Sequence, residues 1–354
     1  MRLLQTRRRR PRTALSTGLL VLTALAAWAL PAAPPAAAQV QRVESWGYNG
    51  FGQLGDGTTD NRHTPVTVAG LTAANTTGLA ASTHGLAVLS NGTVKAWGAN
   101  DYGQLGDGTT SDLSDPDHLT PGTVPELSGV TAVATGCLHS LALLSNGTVK
   151  AWGNNFSGQL GDGTTGSIST TPVTVIDPSN PSVPLSGVTA IAAGCDHSLA
   201  LLSNGTVKAW GDNSAGQLGN GSTGGTSGTP VTVVNLTGVR DIDAGDSHSL
   251  ALLSNQTVRA WGDNSDGQLG NGSTGGTSGT PVTVVNLIRV RGISAGRSHS
   301  LARLSDDTLR AWGGNDQGQL GNASTTGSDT PITVRTGIGT ISLIVAGSFH
   351  SMAA

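Results

Sequence analysis

The chain has 354 residues, of which 12% are charged and 3% aromatic, and its 52 glycines describe short strands and tight turns rather than helices. Six arginines fall within residues 2–12, so residues 39–354 carry 13 basic against 22 acidic groups, a formal charge of −9. That field, with the remaining Lys and Arg scattered thinly along the chain, excludes a nucleic-acid partner.

The first element is a leader. The arginine run at Arg2, Arg7 to Arg10 and Arg12 precedes an uncharged, largely apolar stretch, Thr13 to Leu30, then Pro31 and an alanine run. This is the layout of a secretory signal, with Ala36 and Ala38 fitting the small-residue cleavage rule. Residues 1–38 are therefore expected to be a cleaved signal peptide, and 39–354 a single exported domain. An uncleaved leader of about 18 apolar residues would just span a bilayer. The prolines and the Ala-x-Ala site favour cleavage, which leaves no membrane attachment.

Beyond residue 39 the sequence repeats. A Trp-Gly pair recurs at Trp46, Trp97, Trp152, Trp210, Trp261 and Trp312, each followed two residues after the glycine by Asn and then by Gly-Gln-Leu-Gly. His-Ser-Leu or a near variant recurs at His84, His139, His197, His248, His299 and His350. Each of the first five histidines lies 13 residues before a tryptophan, so insertions fall only in the interval from tryptophan to histidine. One unit, residues 171–210, reads as four strands: TPVTV, GVTAIAAG, HSLALL and TVKAWG, with a Ser-Asn-Gly hairpin turn between the last two. Four short strands per unit, repeated without helices, predict an all-β propeller.

The Gly-x-x-His-Ser-Leu run, the hairpin and Trp-Gly-x-Asn-x-x-Gly-Gln-Leu-Gly together resemble the regulator of chromosome condensation repeat. The resemblance covers residues 39–354 and implies a propeller; well-known members have seven blades, whereas this chain shows six copies. The last copy stops at HSMAA, and the first begins at RVESWG without its own His-Ser-Leu strand. Six four-stranded blades are therefore expected rather than seven, with the ring closed by pairing the N-terminal strand to the C-terminal one.

Six histidines invite a metal or catalytic reading. One per blade spreads them too far to converge on an ion, and no nucleophile with a base and an orienting acid stands out. The resemblance implies a structural role for them. No cofactor, no metal and no enzymatic activity are expected. The Gly-Asp-Gly-Thr-Thr segments lack what a phosphate loop or a calcium loop needs, and read as turns. Cys137 and Cys195 occupy the same slot in consecutive repeats. They pair as a disulfide if the slots come within about 7 Å, Cα to Cα, and stay thiols otherwise.

The residues before each histidine and those after each Trp-Gly fall on one face of an antiparallel hairpin. All five Phe and Tyr residues lie in those slots: Tyr48, Phe51, Tyr102, Phe156 and Phe349. With the ring closed they form an arc over three consecutive blades, an anchor for a partner; the alternative is that they cap gaps between blades. The other half of the rim carries Asp196, Asp212, Asp246, Asp263, Asp266 and Asp316, relieved by Arg297. The sequence thus predicts a secreted or cell-surface scaffold that binds a protein or a glycan. Two alternatives come from the resemblance: a propeller that blocks an extracellular enzyme, as similar β-lactamase inhibitors do, and guanine nucleotide exchange. The second depends on an inserted wedge and a basic tail that this chain lacks.

Overall fold

The computed structural model describes residues 42–111, 118–335, 337 and 339–354; the predicted signal peptide and cleavage site lie outside them. Five four-stranded antiparallel sheets form the blades. Their innermost strands are Thr76–Ala81, Val130–Thr135, Val188–Ala193, Val239–Ala244 and Val290–Ala295, in blades one to five. Each is followed by a His-led strand, a strand ending at Trp-Gly, and an outer strand.

The second strand of each blade, as in His197–Leu202, is buried on both faces, because neighbouring blades cover it on either side. That is why His-Ser-Leu-Ala-Leu-Leu runs apolar without alternating. In blade two the turn after this strand is fixed by Asn146, whose Oδ1 accepts from the backbone N–H of Thr148 at 3.0 Å and from its hydroxyl at 2.7 Å. Gly147 sits there at φ +77°, where a side chain would be strained.

The core lies between blades. Each buried tryptophan packs on the blade before its own: Trp152 joins Leu86, Val94, Leu105 and Val124 of blade one, and Trp312 joins Leu250, Val258, Leu269 and Val284 of blade four. The leucine of Gly-Gln-Leu-Gly is thus the floor of the next indole, as the repeat implies. The ends of all the inner strands, including Ile344–Ala346, surround a central opening lined by Ser82, Cys137, Cys195, Asp246, Arg297 and Ser348.

The chain ends depart from expectation. Arg42–Gly47 pairs only with Arg62–Thr72, and Ser351–Ala353 pairs only with Ile344–Ala346. These two half-blades do not join, so the predicted closing ladder is absent among the described residues. Ser351–Ala353 has three residues where each complete blade has six in that strand, and it offers a correspondingly short ladder to a neighbour.

Candidate functional site

The loop face is assembled from two kinds of segment, the residues before each histidine and the loop after each Trp-Gly. Both are held by hydrogen bonds rooted in the repeat. In blade two, Asn155 Oδ1 accepts from the N–H of Leu160 at 3.0 Å, while its Nδ2 donates to Thr164. Gln159 Oε1 accepts from the N–H of Ser157, and its Nε2 reaches Asp196 of blade three at 3.1 Å. The two segments are therefore neighbours across a blade boundary.

Beneath this face the histidines form inter-blade relays. His139 Nε2 lies 2.9 Å from Ser198 Oγ, and Ser198 Oγ donates to the Gln159 carbonyl at 2.9 Å. The serine's only proton goes to that carbonyl, so the imidazole is the donor to the serine. The same link joins His84 to Ser140, His197 to Ser249, His248 to Ser300 and His299 to Ser351. Burial keeps these rings neutral, lowering His84 and His197 to about 3 and His139, His248 and His299 to about 4. The glutamine carbonyls also accept an indole N–H, as Gln159 does from Trp210 at 2.8 Å. These groups hold blades together.

The aromatic residues fall into local pairs. Tyr48 and Phe51 meet edge to face with centroids 5.8 Å apart, and Tyr102 meets Phe156 of the next blade at 6.0 Å. Phe349 instead lies under the Arg297 guanidinium, 5.2 Å from its centroid. The expected continuous arc is thus two ring pairs and a separate cation–π pair, because the half-blade carrying Phe349 does not close onto the one carrying Tyr48. Tyr48, Phe156 and Phe349 remain 60%, 56% and 53% exposed, while Phe51 and Tyr102 are half-buried against them.

The aspartates divide by role. Asp212 accepts from Ser214 Oγ and Gln217 Nε2, both at 2.6 Å, and Asp263 accepts likewise from Ser265 and Gln268 at 2.7 Å. Both shape their own loops. Asp246 faces Arg297 at 3.6 Å. Asp196 is raised above the ordinary carboxylate range by burial and by Asp212 and Asp246 nearby. Asp266 and Asp316 project into solvent. Cys137 and Cys195 are joined in a disulfide with Cα atoms 4.5 Å apart, clasping blades two and three at the central opening. Their sulfurs lie close to Asp246 but are committed to each other.

A buried carboxylate, Asp243, and a half-buried one, Asp241, lie on the innermost strand of blade four. Asp243 Oδ2 accepts from the Ala295 N–H of blade five at 2.9 Å, and burial raises Asp243 to about 7 and Asp241 to about 6. The run Val-Arg-Asp-Ile-Asp-Ala held the signal, since Val-Thr-Ala-Ile-Ala-Ala of blade three is apolar at both aspartate positions.

Five blades of one repeat, locked by histidine, serine, glutamine and tryptophan across every complete boundary, define a propeller of a single repeat type. The regulator of chromosome condensation (RCC1) repeat matches residues 42–89, 91–143, 146–201, 204–252, 257–303 and 306–354, and the chain belongs to that family. It is 34% identical to the human probable E3 ubiquitin-protein ligase HERC6 over 76% of this chain and 26% of that protein. It is 30% identical to the Arabidopsis thaliana ultraviolet-B receptor UVR8 over 83% of this chain and 66% of that protein. The chain thus spans about a quarter of the ligase and just under two thirds of the receptor. Yeast RCC1 (Prp20), solved bound to Kap60, superposes with a TM-score of 0.73 at 25% identity, over 90% of this chain and 77% of that one.

Proposed function

We propose that this propeller is an exported protein-binding scaffold that recognises its partner through the loop face. The observation that carries the reading is the exposure of Tyr48, Phe156 and Phe349, each more than half accessible, whereas among the described residues every other Phe, Tyr and Trp except Trp46 is at least partly tucked into the fold. Large rings held on loops of a rigid scaffold lose little entropy on binding and make effective anchors. The buried histidines are committed to inter-blade bonds, which leaves recognition rather than chemistry to the surface. The yeast relative is seen with a protein partner, Kap60, which supports protein over glycan as the ligand. The arginine-rich leader supports an extracellular setting, where the Cys137–Cys195 disulfide would persist.

Inhibition of an extracellular enzyme is one form this binding could take, by laying the face over an active site. Nucleotide exchange is disfavoured by the acidic charge of residues 39–354. The test is affinity capture from culture medium and envelope extract, with Tyr48, Phe51, Tyr102 and Phe156 all changed to Ser in the comparison protein. Capture by the parent alone, with matched melting of the two proteins, is the expected result. Equal capture would return the rings to a structural role.

A further inference from the structure

Each complete boundary between blades contains an indole socket, and its parts repeat. The indole N–H donates to a glutamine carbonyl on the preceding blade, from Trp97 to Gln53, Trp152 to Gln104, Trp261 to Gln217 and Trp312 to Gln268, at 2.8 to 2.9 Å. A glycine makes room for the ring. A Cβ on Gly55, Gly106, Gly161, Gly219 or Gly270 would lie 2.7–2.9 Å from an indole atom.

Blade five has the same parts and, among the described residues, no indole. Gln319 accepts from Ser351 Oγ at 2.7 Å, as its counterparts do from their serines. A Cβ on Gly321 would meet only Val334. Between them lies a cavity of about 450 Å³ lined by Leu301, Leu309, Gln319, Gly321, Val334 and Met352. Among the described residues, the apolar cluster of Leu301, Leu309, Leu320, Ile341 and Ile344 is the one large cluster without a tryptophan.

The matching ring is Trp46, 39% exposed where Trp152, Trp210, Trp261 and Trp312 are at 0%. Its strand, Arg42–Gly47, has one edge unpaired among the described residues. The socket also borders an unpaired edge. His350 and Ala354 bond inward, through His350 C=O to the Gly347 N–H and Ala354 N–H to the Leu343 C=O. Alternation then directs the N–H and C=O groups of Ser351 and Ala353 outward.

We infer that this socket and edge bind the Arg42–Gly47 strand of a second copy of the chain, with Trp46 seated on Gln319 and Gly321. One folded chain contains both half-blades and leaves them apart, so the strand that completes the sheet comes from another molecule. The register of blade five, Ser300 opposite Trp312 and Ala302 opposite Arg310, sets Ser351 opposite Trp46 and Ala353 opposite Glu44. Two copies exchanging half-blades satisfy both edges and close on themselves.

Sedimentation velocity of the full chain over a concentration series tests this, together with Trp46→Ala and Ala353→Pro. The proline removes an outward N–H and no bond inside the existing pair. The parent is expected to dimerise with concentration, and each variant, melting as the parent does, to associate about tenfold or more weakly. Mixing the two variants leaves one junction intact and should restore a dimer. A parent that stays monomeric throughout, or a dimer indifferent to both substitutions, would overturn the assignment.

Discussion

Ser249 connects two blades through a single hydroxyl. It accepts from His197 Nε2 at 2.9 Å and donates to the Gln217 carbonyl at 3.0 Å. Ser249→Ala leaves a buried imidazole N–H without an acceptor, and should cost about 1–3 kcal/mol in chemical denaturation, with little change in the folded structure. The protonation balance gives a second expectation. The unfolded chain protonates histidine near 6.5, whereas the five buried rings resist it down to about 3 or 4, so their stabilisation is complete above 6.5 and lost as pH falls. Asp241 and Asp243 act oppositely: raised to about 6 and 7, they favour the fold most below 4 and withdraw that stability as pH rises through those values. Five rings outweigh two carboxylates on the acid side. Melting temperature should therefore climb as pH rises from about 4 to about 7 and level off above that, where neither set of groups still changes its proton balance; a maximum below pH 7 would contradict this. Asp243→Ser copies Ser294 one blade on, whose Oγ accepts from the Ala346 N–H at 3.0 Å. That variant removes a carboxylate that opposes the histidines, and its melting temperature should rise more steeply with pH between about 5 and 7; an unchanged slope would contradict the assignment.

Hairpins that share a sequence slot do not share a glycine. Gly147 and Gly205 turn at φ +77° and +79°, but blades four and five place Gln256 and Asp307 there at +68° and +62°. A side chain in that region is strained, so Gln256→Gly should stabilise the protein by up to about 1 kcal/mol, partly offset by the freedom glycine has when unfolded. An unchanged or lower denaturation midpoint would show that the turn tolerates its side chain. At this scale the sequence was informative. His-Ser-Leu, Ser-Asn-Gly and Trp-Gly marked strand, turn and strand because burial on both faces and a left-handed turn restrict residue choice strongly. The relay from histidine through serine to a glutamine carbonyl was not legible. It joins residues such as His197, Ser249 and Gln217 through the backbone of a neighbouring blade, and backbone acceptors leave no mark on residue identity. Asp243 was overlooked for a related reason: its partner is the main chain of Ala295.

The ring as a whole followed from the repeat, since identical units that cover each other's faces stack around a centre. Its ends did not. Complementary half-strands at Arg42–Gly47 and Ser351–Ala353 suggested closure, but complementarity does not specify which molecule supplies the partner. The proximity of Cys137 and Cys195 was also undetermined until the inner strands were placed side by side, 4.5 Å apart at Cα. The loop face is where the molecule offers anchors, and recognition there can be tested directly. A photo-crosslinking amino acid would replace Phe156 on that face or Val183, 41% exposed in the Ile176–Pro184 hairpin that joins blades two and three on the side of the Ser-Asn-Gly turns. Irradiation in the medium or envelope should give a protein adduct from the Phe156 position and none from Val183. Adducts from Val183 alone, or from neither position, would contradict recognition by the loop face.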